Sequence, residues 1–195
     1  MANTYTQIYL HIVFAVKNRI SLINPEWKEE LYKYITGIVK NNGHKLIAIN
    51  GTANHLHIAV GYKPHQLIPD LMQDIKGFSS KWINEKRFVH GKFSWQAGYG
   101  AFSFSHSQID VVVKYINNQE KHHKKKSFNE EYLELLKRYN IEFDEKYILK
   151  DVDWLTYRPC GTSVYFRVNE FYKYFVPDGT IFKSYFLCLK YFAPN

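Results

Sequence analysis

From Thr6 to Ser105 the sequence alternates two hydrophobic periodicities in an order that few sheets can accommodate. Residues 6–16 contain Ile8-Tyr9-Leu10-His11-Ile12-Val13-Phe14, a β-branched and aromatic run that predicts a central strand. Asn24-Pro25-Glu26 then offers a capping side chain, a first-turn proline and a first-turn acid. Trp27, Leu31, Tyr34, Ile35, Ile38 and Val39 recur at helical spacing, and Gly43 closes that helix. Strands follow at residues 45–49 and 55–60, with Asn50-Gly51 as the turn dipeptide between them. Leu67, Leu71, Ile75, Phe78 and Trp82 mark the stripe of a second helix, and a short strand region covers residues 93–95 and 99–105. Strand, helix, strand, strand, helix, strand is a split βαβ order. It predicts an α+β fold of ferredoxin-like or RRM-like type, an antiparallel sheet with helices on one face.

Beyond the sheet the spacing predicts a third helix over residues 108–121, capped by Ser105 or Ser107 and burying Ile109, Val112, Val113 and Ile116. Ser127-Phe128-Asn129-Glu130 is a capping box that opens a fourth helix through Leu133, Leu136 and Tyr139. Between the two lies the basic stretch Lys121-His122-His123-Lys124-Lys125-Lys126. From about Asp151 aromatic residues crowd together and turn residues recur at Pro159, Gly161 and Pro177-Asp178-Gly179. The expected organisation is a domain over residues 1–148 and an aromatic-rich extension over 149–195. A net charge of +8 points weakly to a polyanionic partner. Cys160 and Cys188 form no metal spacing or disulfide framework, which suits a reducing compartment. Met1-Ala2-Asn3-Thr4 leads straight into a strand with no secretory pattern, and no apolar run has the length of a membrane span. A cytoplasmic protein without membrane contact is therefore expected.

His55-Leu56-His57 puts two imidazoles on one face of a strand, because side chains alternate, while Leu56 enters the core. Two neighbouring imidazoles are half of a metal site. In Tyr115-Ile116-Asn117-Asn118-Gln119 the phenol and the carboxamide stand one helical turn apart, about 6 Å in rise and roughly 40° in rotation. Together these side chains form a kit for phosphodiester transfer. His55, His57 and the Gln119 carbonyl oxygen would hold a divalent cation, Mg²⁺ or Mn²⁺. Tyr115 would attack phosphorus and form a covalent phosphotyrosine. All three ligands are neutral, so the cation is expected to bind weakly until a phosphate joins it. The base that takes the Tyr115 proton is not identified by the sequence.

With those residues the chain resembles the HUH-type single-tyrosine transposases of small bacterial insertion sequences. The likeness extends over Trp95-Gln96-Ala97-Gly98-Tyr99-Gly100, the Ser105 region, His122-His123 and Phe128 to Tyr139, and covers roughly residues 4–148. It implies that Tyr115 is the nucleophile and His55, His57 and Gln119 are the metal ligands. It also implies cleavage of single-stranded DNA beside an imperfect hairpin, a 5′-phosphotyrosine link and rejoining without a host cofactor. Members of the family are bacterial proteins and homodimers, the tyrosine helix of one subunit completing the histidine site of the other. The segment from Asp151 departs from the pattern.

Other residues receive blander readings. Lys17, Arg19, Lys81, Lys86, Arg87, Lys92, Lys121 and Lys124 are candidate contacts to the DNA backbone. His122 and His123 read as a solvated basic helix end, Phe102 and Phe104 as core, and Trp95 and Tyr99 as supports of the connection into the tyrosine helix. No role is assigned to His11. The competing function is a non-catalytic or domesticated protein that binds hairpins of single-stranded DNA on the same fold. A histidine phosphoesterase would need a second histidine motif, which is not found.

Overall fold

The period-2 segments pair into one antiparallel sheet of four strands, β1 (Ile8–Ala15), β2 (Lys45–Thr52), β3 (His55–Tyr62) and β4 (Gly100–Phe104), in the order β2-β3-β1-β4. The computed structural model describes residues 5–144, 148, 155–157 and 164–166. Its contacts divide the chain into two units, Met1–Asp151 and Val152–Asn195. Two helices connect the strands, α1 (Pro25–Asn41) after β1 and α2 (Ile68–Lys86) after β3. This is the α+β, ferredoxin-like topology that the element order implies. The expected strand over residues 93–95 is reduced to a single bridge between Val16 and Trp95.

Alternation along the strands separates two faces. Leu10, Ile12 and Phe14 of β1 and Leu56, Ile58 and Val60 of β3 share one core with Trp27, Leu31, Ile35, Leu71, Met72, Ile75 and Ile83 of α1 and α2. Asn24 caps α1 through its Oδ1, which accepts from the Glu26 amide at 3.0 Å. On α2 the buried stripe is Leu71, Met72, Ile75, Ser79 and Ile83, which keeps Leu71 and Ile75 of the expected one, whereas Leu67 and Phe78 are exposed. The opposite face of the sheet carries His11, Val13, His55, His57, Ala59, Phe102 and Phe104, and it is covered by helices from beyond the split βαβ unit.

The first of these is α3 (Ile109–Asn117), preceded by a 3₁₀ turn that the Ser105–Gln108 capping box opens. It packs Ile109, Val112, Val113 and Ile116 against Ala48, Ala59 and Phe104. The expected continuous helix over 108–121 is broken at Asn118, and α4 (Gln119–His122) restarts after it. Asparagine explains the break, because its side chain competes for backbone groups. Asn118 Nδ2 donates to the Lys114 carbonyl at 2.8 Å, and Asn50 Nδ2 of β2 donates to the Asn117 carbonyl at 3.0 Å. The last helix of this unit, α5 (Phe128–Arg138), opens on the Ser127–Glu130 capping box and packs Phe128, Leu135 and Leu136 against Val13 and Phe102. Leu133 and Tyr139, expected on its buried stripe, are only partly covered.

Asn50-Gly51 is not the hairpin turn. Both residues lie inside β2, Gly51 pairs with Leu56, and Ala53-Asn54 makes the reversal. The glycine answers a close approach, because a Cβ at position 51 would lie 2.1 Å from the His55 carbonyl oxygen. In the second unit β5 (Leu155–Tyr157) pairs antiparallel with β6 (Val164–Phe166). Cys160, Cys188, Met1 to Thr4, the turn residues at 159, 161 and 177–179, and most of the 149–195 extension lie outside the described residues. Among the described residues no helix is long and apolar enough to cross a membrane.

Candidate active site

β3 brings His55 and His57 to the face away from α1 and α2, at 1% and 0% exposure. Their shared orientation follows from the strand period, with Leu56 between them in the opposite core. Tyr115 at the end of α3 and Gln119 at the start of α4 converge on the same place despite the helix break. They meet there through a residue that the sequence reading passed over. Glu131 of α5 is 2% exposed, and its Oε1 accepts hydrogen bonds from the Tyr115 hydroxyl and from Gln119 Nε2, the latter at 2.8 Å. Its other oxygen, Oε2, lies 3.4 Å from His57 Nε2, 3.9 Å from His55 Nε2 and 2.9 Å from His123 Nε2. His122 stands further out, its Nε2 3.7 Å from Glu131 Oε1 and its ring edge-on to Tyr115.

The outer nitrogens of these rings have partners. Asn54 Oδ1 lies 2.7 Å from His55 Nδ1 and also accepts from the Thr52 hydroxyl. The Lys126 carbonyl lies 2.9 Å from His123 Nδ1. Both oxygens are acceptors, so each Nδ1 donates. His57 Nδ1 lies 3.0 Å from Nε2 of His11, a buried residue to which the sequence reading gave no role. Inside the ring of side chains, His55 Nε2, His57 Nε2, His123 Nε2, Gln119 Oε1 and Glu131 Oε2 are buried and, apart from the contacts of the rings with Glu131, have no hydrogen-bond partner. Nitrogen lone pairs and a carboxylate oxygen facing one another in a water-poor site are satisfied by a proton or a cation. The ligand atoms of His55, His57, His123 and Glu131 all lie within 4.8 Å of one another. Ligands about 2.1 Å from one ion stand roughly 3–4 Å apart, so the donor set fits a divalent metal.

Burial, then the neighbouring imidazoles, keeps His55 well below the ordinary histidine value, and burial lowers His57 against the opposing pull of Glu131. Burial and the charge of His57 press His11 down to about 3. Neutral rings are what metal ligation needs. Burial works against the charge of Glu131, but its contacts with His123, His57 and Tyr115 outweigh that and hold it below the usual carboxylate range. Burial and the Glu131 charge both push the Tyr115 phenol up, so it rests protonated.

The candidate cations fall in different places. Lys121 and Lys124 are exposed in the segment that carries His123, and Lys124 lines a cleft of about 240 Å³ with Lys28, Thr52, Ala53, Glu120 and His123. Lys28 and Glu120 form an ion pair at that cleft. Lys17 is exposed in the short 3₁₀ helix after β1 and Lys92 in a loop, whereas Lys81, Lys86 and Arg87 are exposed on or just after α2, the helix on the far face of the sheet. Arg19 is not a surface residue. It is 6% exposed, with its guanidinium 3.5 Å from the Phe128 ring centroid, and that ring in turn packs on His55.

The four side chains singled out by sequence spacing, His55, His57, Tyr115 and Gln119, come together, and His123 and Glu131, which converge with them, were not singled out. His123 reads as a solvated helix end, yet its side chain is 12% exposed and turned inward. Glu131 had one usable signal, its place three residues after Phe128 and four before Leu135 on the buried stripe of α5.

A family model described as "Transposase IS200 like" matches residues 4–119. The ISDra2 transposase TnpA of Deinococcus radiodurans is 25% identical over 118 residues, 58% of this chain and 84% of the relative. A crystal structure of a Deinococcus radiodurans protein described as a transposase is similar at a TM-score of 0.49 and 23% identity, covering 61% of this chain and 95% of that one. The structure of a REP-associated tyrosine transposase bound to a REP hairpin also has a TM-score of 0.49, at 13% identity, covering 63% and 73% of the two chains.

Proposed function

The chain belongs to the IS200-like transposase family, and from that membership we propose that it cuts and rejoins single-stranded DNA beside hairpins at insertion-sequence ends, with Tyr115 as nucleophile. Tyr115 Oη attacks the scissile phosphorus, the bond to the 3′ oxygen breaks, and the phosphate stays on the 5′ side as a phosphotyrosine. One phosphodiester replaces another, so a second 3′ hydroxyl can reverse the step without an external energy source. The observation that carries this reading is the meeting at Glu131. Its Oε1 holds the nucleophile's hydroxyl while its Oε2 faces the two sheet histidines. The phenol proton already points at a carboxylate oxygen, the acceptor it would pass to as the bond from Oη to phosphorus forms.

His55 and His57, with Gln119 Oε1 as third donor, would hold Mg²⁺ or Mn²⁺, which supplies polarisation of the phosphate and neutralises charge building on its oxygens. Gln119 Nε2, tied to Glu131, keeps the amide beside the phenol. Asn54 and His11 fix the ring orientations of His55 and His57 from behind. Lys121 and Lys124, exposed beside the cleft that Lys124 lines, are suited to backbone phosphates of the entering strand. Contacts from Lys17, Lys81, Lys86, Arg87 and Lys92 would need DNA that wraps to other surfaces, and Arg19 acts by holding Phe128 against His55. We assign this chemistry to residues 1–148 of a cytoplasmic homodimer and give the 149–195 extension no part in it.

The test uses a single-stranded oligonucleotide carrying the hairpin and flank of an element end, incubated with Mn²⁺ and resolved on a denaturing gel. The full chain forms a covalent adduct whose digested peptide contains Tyr115. Tyr115→Phe binds the hairpin unchanged and forms none. An adduct that survives this substitution removes Tyr115 from the role, and hairpin binding by the unaltered protein without any cleavage makes it a binding protein.

A further inference from the structure

We infer that His123 and Glu131 join His55, His57 and Gln119 as ligands of one ion, which makes the site three imidazoles, an amide oxygen and a carboxylate, able to bind metal before DNA arrives. The inference rests on the metal reading above and deepens it. Both added residues lie beyond position 119, where the match to the family model ends.

Three observations carry it. His123 Nδ1 is committed to the Lys126 carbonyl, so the nitrogen that faces the site is Nε2, the same atom His55 and His57 present. Glu131 Oε2 has only the ring nitrogens of the site for partners, His123 Nε2 nearest at 2.9 Å, while its partner oxygen accepts from Tyr115 and Gln119, leaving one oxygen of a buried carboxylate aimed at three ring nitrogens. The distances from that oxygen to the rings, 2.9, 3.4 and 3.9 Å, match the spacing of donors around a common ion. Helix geometry explains how these groups arrive. The capping box at Ser127 starts α5 so that Phe128 and Leu135 pack on the sheet, and the residue between them on that stripe is Glu131.

Two consequences distinguish this set from a neutral one. The carboxylate offsets part of the ion's charge, so affinity no longer depends on a phosphate. Three imidazoles favour Mn²⁺ and later transition ions over Mg²⁺, which prefers oxygen. Glu131 also becomes a bridge, one oxygen toward the ion and the other on the Tyr115 hydroxyl, so that seating the ion and seating the nucleophile are the same event.

The experiment titrates the full-length, chelator-stripped, DNA-free protein with Mn²⁺ and follows free Mn²⁺ by electron paramagnetic resonance. His123→Ala and Glu131→Gln should each weaken binding by about tenfold or more, and Mg²⁺ in about hundredfold excess should not displace Mn²⁺. Pulsed resonance on the unaltered protein, which avoids any folding defect of a variant, should count three imidazole nitrogens on the ion. Two nitrogens, or variants that bind Mn²⁺ as tightly as the parent, overturn the inference. That failure is separable from failure of the proposed function. A two-nitrogen centre with an intact Tyr115 adduct sinks only this assignment, whereas a three-nitrogen centre with no adduct sinks only the strand-transfer reading.

Discussion

A carboxylate at 2% exposure needs compensation, since stripping an ion of water costs several kcal/mol. Around Glu131 the compensation divides between its two oxygens. Oε1 has the Tyr115 hydroxyl and the Gln119 amide, while Oε2 has ring nitrogens that want a positive charge as much as it does. Metal should therefore stabilise the fold. Mn²⁺ at about a hundredfold above its dissociation constant should add roughly 2.7 kcal/mol to the unfolding free energy in urea. At the same Mn²⁺ concentration Glu131→Gln should lose about 1.4 kcal/mol of that gain for each tenfold of affinity removed. No difference between Mn²⁺ and chelator in the unaltered protein would contradict the site. Tyr115→Phe removes one of two donors to Oε1 and should shift stability by only about 1 kcal/mol, so its loss of adduct reads as chemistry. The legibility of these residues follows from their packing. His55 and His57 stand out because an apolar strand isolates them, whereas Glu131 hides beside Glu130 in a helix first turn, where acids are ordinary. Only the helical offset from Phe128 and Leu135 betrays it.

Elements hold these groups through close backbone contacts, and two of those contacts are testable. Gly51 lies where β2 presses on the start of β3, so Gly51→Ala must move the His55 carbonyl or the strand itself. A loss of about 2–3 kcal/mol in urea unfolding is expected, with weakened Mn²⁺ binding because His55 moves too. An unchanged midpoint would show that the hairpin yields without cost. Lys76 of α2 reaches across to donate to the carbonyls of Gln96 and Gly98, and burial lowers it to about 8. Between that value and the ordinary lysine value near 10.4, the unfolded chain holds a proton that the folded chain has released. Raising the pH through this window therefore favours the folded state, by at most about 1.4 kcal/mol per pH unit. Lys76→Met should flatten that rise in unfolding free energy between pH 8 and 10, and an equal slope in both proteins would remove Lys76 as its source. Element order, the α1 cap and the Ser127–Glu130 capping box were legible because local chemistry decides them. The turn at Asn50-Gly51 and the unbroken third helix were misread because tertiary contacts decide those. A glycine made for close approach looks like a turn glycine, and Asn118 breaks a helix that Asn50 holds from another strand.

At the scale of the molecule, the order β2-β3-β1-β4 puts β3 beside β1 within the sheet, and α3, α4 and α5 return over the face where its histidines lie. Tyr115, Gln119, His123 and Glu131 therefore reach His55 and His57 inside one protomer, whereas the family resemblance implied a tyrosine helix lent by the partner. Sequence spacing could not choose between these arrangements, because a helix that follows the sheet by a short connection reaches its own histidines or a neighbour's with the same residues. Paired variants separate them. In a heterodimer of Tyr115→Phe with His57→Ala, sites assembled within protomers are both dead, one lacking the nucleophile and the other a ligand. Sites assembled across the dimer axis would leave one of the two intact, so random mixing would recover about a quarter of the unaltered adduct yield. The reverse construction puts both substitutions on one protomer beside an unaltered partner. Assembly within protomers then leaves one working site, and assembly across the axis leaves none. The described arrangement predicts adduct from the second pairing and none from the first, read on the same denaturing gel. The opposite pattern would mean that the tyrosine helix leaves its own sheet when DNA binds.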